Sequence, residues 1–416
     1  MRTVIVGNRA LARHVLSFCL DTGWNIVGVV TPDEDAARRQ ANFRSVADLV
    51  AEVDCKLIKT DDINDERTYR RLDALDSDVC LCPGWEDILN ERTLEIPTIG
   101  FFGFHASRLP EGRGGAPVNW SLIHGASEIW LSFFYYTAGV DAGDVVTQRS
   151  VPVDARDDIG TVLDALAVAA RDILEEIRPS LERERIDATP QNPAEATYRP
   201  RRQPQDGLID WTQSPSEQTD WVRAQTRPYP GAYTFYNGRR IRVWQAEQVR
   251  KTSDNGSQGE VLAITEGSGI DVATGDGVFR IERLQPERGP ERWADRYAAD
   301  TGIEVGSRFG RHHAPSDWIY TGIRGPDGGT SYRTNLNVGE FGELTLICHT
   351  STQRELEVSV TFDGEVQLTD ATTVADTYDT TVSYAHTTSG TYTLKVTYVI
   401  DGQQVDTRVL KVFVQE

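Results

Sequence analysis

His105 and Asp141 are the residues of this sequence best suited to acid–base chemistry. His105 ends a β-rich run, and Asp141 opens the glycine-containing turn of residues 141–144, 36 positions later. An imidazole exchanges protons near neutral pH, and a neighbouring carboxylate can orient it. A lone histidine at a strand end is more often structural, so the prediction of a proton-transfer pair depends on the fold bringing the two side chains together.

The surroundings of His105 fit a ligand site. A parallel strand delivers its last residues to the carboxyl edge of its sheet, where ligands bind in open α/β folds. The segment that follows, residues 110–117, contains glycines that let a backbone approach a ligand closely. We therefore expect His105 at the rim of a sheet, beside a ligand-binding loop.

The sequence elements around His105 and Asp141 indicate an α/β domain. Residues 4–6, 25–30, 56–58 and 78–82 are short β-rich runs separated by polar or helical segments, which predicts a mostly parallel, Rossmann-like sheet. Residues 7–12 carry one glycine where a dinucleotide fingerprint needs three, so NAD is not predicted.

A long amphipathic helix should close this first domain. Asp157 and Asp158 precede apolar residues at helical spacing, and the helix is expected to end the domain near residue 185. The Pro-rich, polar residues 188–196 indicate a linker. The predicted catalytic domain therefore spans residues 1–188.

Two β-rich regions follow. The Asn237-Gly238 step between residues 232–236 and 240–244 predicts a hairpin, and residues 200–310 are expected to form a small OB-like β-barrel. Alternating strands and the turns at Asp363-Gly364 and Asp401-Gly402 predict an Ig-like β-sandwich over residues 316–416. The sandwich contains no cluster of polar groups suited to chemistry, so we expect an adapter or homo-oligomerisation role.

The charge of the chain favours a small-molecule partner. The formal charge is −20 and lysine is rare, which indicates an acidic, halophilic-type surface and argues against nucleic acid, since phosphate binding needs basic patches. One arginine-rich segment departs from this trend and is either ordinary variation or an anion site. Its arginines are Arg199, Arg201, Arg202, Arg223, Arg227, Arg239, Arg240 and Arg242.

Localisation and cysteine content complete the compositional argument. No apolar run approaches the ~20 residues that span a bilayer, and no signal peptide is evident, so a cytoplasmic protein without membrane contact is expected. Five cysteines fit reduced thiols. Cys80 and Cys82 could indicate a metal or redox site, but alternation along a strand explains the pair more simply. No metal is predicted.

At this point the sequence resembles the formyltransferase family, which includes methionyl-tRNA formyltransferase and the sugar-nucleotide N-formyltransferases. The family pattern is Asn-x-His, x-Ser-x-Leu-Pro, Arg-Gly, Pro, and Asp-x-Gly after a fixed interval. The matching residues are His105, Ser107, Leu109, Pro110, Arg113, Gly114, Pro117, Asp141 and Gly143. Residues 206–211 and 227–232 resemble the family's C-terminal domain, so the likeness covers about residues 1–310.

The resemblance implies transfer of a formyl group from 10-formyltetrahydrofolate to a primary amine. His105 would polarise the carbonyl or shuttle protons, and Asp141 would orient His105 or accept the amine proton. The family's asparagine is Gly103 here, so a side-chain donor to the oxyanion is missing, a loss that typically costs on the order of 10²- to 10³-fold in rate.

By family position, the remaining site residues fall into two groups. The folate should lie beside Cys82, Pro83, Gly84, Trp85, Ser107, Leu109 and Arg113. The resemblance assigns Asn119 and Trp120 to the acceptor substrate, with helix capping as the alternative for Asn119 and packing as the alternative for Trp85.

Three functions are compatible with these residues. The first is formylation of an amino-sugar nucleotide, which the acidity of the chain favours. The second is formylation of methionyl-tRNA by the same chemistry. The third is a catalytically silent fold kept as a binding module, which Gly103 and the appended sandwich support.

Overall fold

The computed structural model describes residues 1–33, 41–51, 53–85, 88–249, 256–315, 318–324, 335–337, 339–388 and 390–415. The chain divides into two compact units. The first comprises Met1–Ser121 with Ala126–Ala196, and the second comprises Leu122–Gly125 with Thr197–Glu416. Among the described residues, every helix is too short or too polar to cross a bilayer.

The first unit is built on a seven-stranded sheet of order β3-β2-β1-β4-β5-β7-β8. The first five strands run parallel, and β7 and β8 add antiparallel pairings at one side. The mostly parallel sheet predicted from the sequence is therefore confirmed. The strands of this part of the chain are β1 (Arg2–Val6), β2 (Asn25–Thr31), β3 (Lys56–Lys59), β4 (Val79–Cys82), β5 (Gly100–His105), β6 (Arg113–Gly114), β7 (Glu128–Tyr135) and β8 (Val145–Pro152).

Burial along the strands follows their place in the sheet. Every residue of the central strand β4 is buried, whereas the edge strand β8 is mostly half-buried. A central parallel strand covered on both faces needs a continuous apolar run, which the sequence of β4 supplies. Cys80 and Cys82 both belong to the apolar core beside this strand, and burial raises the pKa of the Cys82 thiol to about 12.

Helices flank the sheet, and the predicted long helix is present. The Asp158 side chain accepts a hydrogen bond from the Thr161 backbone N–H and caps a helix of 24 residues. The α-helices within the described residues are α1 (Ala10–Asp21), α2 (Ala47–Ala51), α3 (Glu66–Asp73), α4 (Glu91–Leu94), α5 (Pro117–Ile123), α6 (Ile159–Glu182), α7 (Pro215–Arg223) and α8 (Ala294–Thr301).

The second unit begins with a six-stranded antiparallel sheet and two short helices, α7 and α8. The predicted hairpin is confirmed: β10 pairs with β11 across a turn in which Asn237 and Gly238 have φ values of 47° and 71°. The strands of this region are β9 (Tyr198–Arg199), β10 (Ala232–Tyr236), β11 (Arg239–Val249), β12 (Val261–Thr265), β13 (Gly269–Ala273), β14 (Val278–Pro286) and β15 (Arg292–Trp293).

Two further sheets complete the second unit. One has the order β16-β18-β21 and the other β17-β23-β22-β19-β20, and their inward residues share one apolar core. Along β19 buried and exposed positions alternate, as expected for strands with one face packed. These strands are β16 (Ile319–Arg324), β17 (Asn335–Asn337), β18 (Gly342–Thr350), β19 (Arg354–Phe362), β20 (Glu365–Val374), β21 (Thr377–Tyr384), β22 (Gly390–Ile400) and β23 (Gln403–Gln415).

A buried polar group joins the two parts of the second unit. Arg408 on β23 donates to Asp206, to Asp406 and to the carbonyl of Thr321 at 2.6 to 3.1 Å. We call Arg408, Asp206, Asp406 and Thr321 the Arg408 cluster. Burial opposes the charge of the guanidinium, but the two carboxylates outweigh it and raise the pKa of Arg408. The cluster therefore holds residue 206, which precedes the six-stranded sheet, against strands β16 and β23.

Candidate active site

The fold brings His105 and Asp141 together. His105 is the last residue of β5, and its Nδ1 lies 3.5 Å from Asp141 Oδ2. Both side chains are largely shielded, with 8% and 16% of their surface exposed. The separation exceeds that of a short hydrogen bond, and such contacts commonly tighten when a substrate binds. The pairing on which the sequence prediction depends is thus present in the fold.

The second ring nitrogen of His105 is also engaged. Nε2 lies 2.8 Å from the carbonyl oxygen of Gly112. A carbonyl only accepts hydrogen bonds, so Nε2 is the donor in this contact. This leaves Nδ1, which faces the carboxylate, as the atom through which His105 can exchange a proton with Asp141.

Asp141 is held by backbone geometry. Its Oδ2 accepts a hydrogen bond of 2.8 Å from the backbone N–H of Gly114, and its φ of 49° lies in the left-handed region. Two residues later, a Cβ on Gly143 would lie 1.8 Å from the carbonyl oxygen of Tyr135. The Asp-x-Gly sequence therefore needs its glycine because the turn presses against the end of β7.

Gln191 connects the two loops of the site, a role that the sequence analysis missed. Its Oε1 accepts hydrogen bonds from Arg113 Nε at 3.0 Å and Nη2 at 2.6 Å, while its Nε2 donates to the carbonyls of Asp141 and Gly143 at 2.8 and 2.6 Å. Residues 188–196 were interpreted as a linker, and that interpretation overlooked a side chain that ties Arg113 to the Asp141 turn. No local signal marks it, because its partners are 48 to 78 residues away.

Ser132 and Gln148 brace the segment after His105. Ser132 Oγ donates to the carbonyl of Ser107 at 2.6 Å and accepts from the N–H of Leu109, and Gln148 Nε2 donates to Ser132 Oγ and to the carbonyl of Leu109. Ser132 is the one serine or threonine within β7. A buried polar residue in such a strand needs a partner, and this signal could have identified it.

The residues predicted beside the folate lie at the end of β4 and in the loop after β5. Cys82 and Pro83 are buried, and Gly84 has a φ of 95°. Trp85 is half-buried against the core, yet its Nε1 is enclosed without a hydrogen-bond partner among the described residues. Such an unsatisfied donor is uncommon in folded proteins.

The loop residues of this group contact the protein itself. Ser107 Oγ donates to the carbonyl of Glu111 at 2.6 Å, Leu109 is buried, and Arg113 is buried with its guanidinium on Gln191. Their visible contacts shape the loop that carries Gly112 and Gly114 toward His105 and Asp141.

Asn119 and Trp120 lie in helix α5, and 3% and 4% of their surfaces are exposed. Asn119 is the third residue of the helix rather than the residue before it, so the capping alternative for Asn119 is wrong. Their assignment to the acceptor substrate stays a prediction.

Two family models match this chain. Residues 1–177 match the model described as formyl transferase, and residues 201–299 match the model described as formyl transferase, C-terminal domain. The two matched ranges contain His105 and Asp141 and the six-stranded sheet, respectively.

Curated relatives and solved structures agree with these matches. The chain is 30% identical to the methionyl-tRNA formyltransferases of Bacillus mycoides and Geobacter metallireducens, over 75% and 74% of this chain and 99% and 98% of theirs. Its fold is similar to HypX from Aquifex aeolicus in complex with tetrahydrofolic acid, with a TM-score of 0.52, 18% identity and coverage of 76% of this chain and 49% of HypX.

A second solved structure is similar along nearly its whole length. It is the N-formyltransferase from Helicobacter canadensis in complex with folinic acid and dTDP-3-aminofucose, with a TM-score of 0.51, 14% identity and coverage of 67% of this chain and 98% of that one. This chain spans about half of HypX, and both structural likenesses concern the fold alone. The sequence matches show that the chain belongs to the formyltransferase family, enzymes that take a formyl group from 10-formyltetrahydrofolate.

Proposed function

We propose that this enzyme formylates the primary amine of an amino sugar carried on a nucleotide, with His105 and Asp141 as its catalytic pair. The observation that carries the chemistry is the 3.5 Å approach of His105 Nδ1 to Asp141 Oδ2 at the end of β5. A carboxylate and an imidazole in this arrangement can take a proton from an attacking amine and pass it on.

The residues at the rim fit a folate. When bound, 10-formyltetrahydrofolate supplies an electrophilic formyl carbon. A pterin is flat, so it suits the aromatic face of a half-buried tryptophan such as Trp85. Trp85 follows β4, the strand that pairs with β5, and Cys82 on β4 stands opposite Gly103. Residues 82–85 therefore lie beside the strand that ends in His105.

The side chains of the site divide the work of proton transfer. Asp141, fixed by the Gly114 N–H, accepts a proton or holds the His105 ring in place. His105, whose Nε2 donates to Gly112, presents Nδ1 to the carboxylate. Gln191 keeps the Arg113 loop and the Asp141 turn in register, so that both catalytic groups face the same space.

The charges of the second unit support a small acceptor rather than a nucleic acid. In the arginine-rich segment, Arg223 pairs with Asp220 and Arg227 pairs with Glu291, each at 2.7 Å. Arg240 lies over the ring of Tyr233. Arginines paired in this way offer less charge to a phosphate backbone, which needs several free cations. This pairing counts more against a long phosphate backbone than against a single nucleotide, which needs fewer cations.

Methionyl-tRNA is the second candidate acceptor. The observation in its favour is the 30% identity to methionyl-tRNA formyltransferases along 98% or more of their length. The two acceptors share the amine chemistry and differ in size and charge, so binding outside the His105 pair decides between them.

The deciding experiment supplies purified protein with 10-formyltetrahydrofolate and either a panel of amino-sugar nucleotides or aminoacylated initiator tRNA. Formylated product and released tetrahydrofolate are both measured, with His105→Ala as the inactive control. Formylation of a sugar nucleotide that fails in the variant supports the proposal. Formylation of tRNA alone would replace the first candidate by the second, and folate binding without turnover would favour the silent binding module.

We also propose the finer assignments of fold and setting. The strand arrangements support an OB-like barrel over residues 200–310 and an Ig-like sandwich over residues 316–416, after a catalytic domain of residues 1–188. The excess of acidic residues supports a halophilic, cytoplasmic setting. Limited proteolysis tests the boundaries, because cleavage should concentrate between these segments.

A further inference from the structure

The space beside Gly103 is filled by the ring of Tyr136. A Cβ on residue 103 would lie 2.2 Å from Tyr136 Cε2, 2.9 Å from Cδ2 and 3.0 Å from Cζ. These separations are well inside van der Waals contact, and an aromatic ring cannot bend away as a flexible chain can. The tyrosine therefore occupies the volume in which a side chain of residue 103 would begin.

Strand pairing explains why this tyrosine reaches Gly103. β7 runs antiparallel to β5 with Gly103 opposite Phe134, and the N–H of Tyr136 donates to the carbonyl of Phe101 at 2.9 Å. Successive side chains of a strand point to opposite faces, so Phe134 and Tyr136 share one face with Gly103. Their rings are stacked with centroids 5.4 Å apart. Tyr136 thus lies diagonally across the strand pair from residue 103. Residue 103 is itself two positions before His105 on β5.

The Tyr136 phenol lies near two acidic groups. It packs against the core that contains Cys82, on the strand next to β5, and Asp141 is close enough to act on it electrostatically. Burial raises the pKa of Tyr136 well above its ordinary value, and the neighbouring acidic groups Cys82 and Asp141 raise it further. The phenol consequently stays neutral and keeps a proton to donate. The hydroxyl can therefore donate a hydrogen bond to an acceptor bound nearby.

We propose that Tyr136 is a further catalytic residue, whose hydroxyl donates the hydrogen bond to the formyl oxygen that residue 103 cannot supply. As negative charge develops on that oxygen, the hydroxyl turns toward it and donates a hydrogen bond, and no covalent bond to the protein is made. This inference rests on the proposed formyl transfer and adds the donor that a developing oxyanion needs. Gly103 and Tyr136 are then a matched pair, in which the glycine provides the space and the tyrosine fills it.

The test uses a reaction that does not depend on the acceptor. Without an acceptor, water oxygen bonds to the formyl carbon of 10-formyltetrahydrofolate and the bond between that carbon and N10 breaks. One proton of the water passes to N10 and the other to solvent, so that tetrahydrofolate and formate are released. Tyr136→Phe keeps the ring and removes only the hydroxyl. We expect its kcat for hydrolysis and for formyl transfer to fall on the order of 10²- to 10³-fold. The Kd for 5-formyltetrahydrofolate and the Tm should stay near those of the wild type.

Tyr135→Phe is the matched control. Tyr135 is the preceding residue on β7, its side chain points to the opposite face, and its ring contacts Phe102. It should keep wild-type kcat. A kcat of Tyr136→Phe within threefold of the wild type would overturn the inference, as would a fall in kcat that Tyr135→Phe shares.

A second pair of variants distinguishes donation from packing. Tyr136→Ala vacates the space, and Tyr136→Ala with Gly103→Asn places an amide donor in it. The double variant should recover at least tenfold in kcat over Tyr136→Ala, because the lost donor is replaced. If Tyr136→Phe leaves kcat unchanged and the double variant does not recover kcat, Tyr136 contributes packing alone. Absence of hydrolysis and transfer in the wild type would instead reject the proposed function, and this inference with it.

Discussion

Two buried aspartate networks in this molecule are built in opposite ways. At the rim of the first unit, Asp141 meets His105 at 3.5 Å and is otherwise held by a backbone N–H. In the Arg408 cluster of the second unit, the guanidinium donates through all three nitrogens at distances from 2.6 to 3.1 Å. The contact between His105 and Asp141 is long enough to shorten, whereas the hydrogen bonds of the Arg408 cluster are already at ordinary lengths.

Under the proposed function, this difference separates a network that serves chemistry from one that serves stability. In the Arg408 cluster the charged side chains are 6% to 15% exposed, and Asp406 also accepts from the Thr321 hydroxyl and the Thr407 N–H. Each buried charge has its partners, as low dielectric surroundings require. The rim instead contains the unsatisfied Nε1 of Trp85 and the long His105 contact.

The largest expected effect is on catalysis at the rim. Asp141→Asn keeps the acceptor for the Gly114 N–H but removes the charge that faces His105, so kcat for formyl transfer should fall by about 10²- to 10⁴-fold. The Tm should change little. Asp144→Asn, in the same turn but with an exposed side chain, is the control and should remain active. A large fall in Tm with unchanged kcat would show that the rim network serves stability instead.

The next largest effect is on stability rather than on kcat. Arg408→Met leaves Asp206 and Asp406 buried without their cation, and removing one partner of a buried pair typically costs about 3–5 kcal/mol. Chemical denaturation should show this loss, while kcat per folded molecule stays at the wild-type level. Arg354→Ala, which breaks a more exposed pair with Asp401, is the control and should move the midpoint far less. If Arg408→Met were as stable as the wild type, the Arg408 cluster would not be a stabilising network.

A smaller effect on kcat is expected for substitution of Gln191, and it tests whether this residue belongs to the working site. Gln191→Ala removes the tie between Arg113 and the Asp141 turn, and the resulting misplacement should lower kcat on the order of ten- to a hundredfold. The pH profile should keep its shape, because no titrating group is lost. Gln367→Ala, at an exposed position, is the control. Wild-type kcat in Gln191→Ala would limit the working site to His105 and Asp141.

The smallest effect concerns pH and the surface of the second unit. The Glu355 N–H and Arg354 lower the pKa of Asp401 below its usual 3.8. A carboxyl with a lowered folded-state pKa stabilises the protein above its unfolded pKa, and that contribution is lost as pH falls through the folded value. Arg354→Ala should therefore reduce the loss of Tm on acidification below about pH 4. Equal slopes in the two proteins would exclude this contribution.

The sequence predicted elements better than it predicted contacts. The hairpin at Asn237-Gly238, the helix capped by Asp158 and the parallel strands follow from local rules and are present in the structure. The family, the enzyme class and the formyl donor were also predicted, and the comparisons confirm them. Each depends on patterns within a few residues or on motifs at fixed intervals.

What the sequence did not predict depends on side chains that meet across long intervals. Gln191 lies in a polar stretch that resembles any loop, and its function follows only from where residues 113 and 141 come to lie. Gly103 was interpreted as the loss of a hydrogen-bond donor because that single position was compared with the asparagine of the family pattern. The residue that fills its space is 33 positions away, and only the register of β5 with β7 connects them.

The separation of residues in the Arg408 cluster has a consequence during synthesis. Asp206 and Arg408 are 202 residues apart, so the ion pair cannot form until β23 has left the ribosome. Domains generally fold as units from the N-terminal side while the chain is being made. The first unit, with its His105 and Asp141, can thus fold on the nascent chain well before the buried charge of Asp206 acquires its cation.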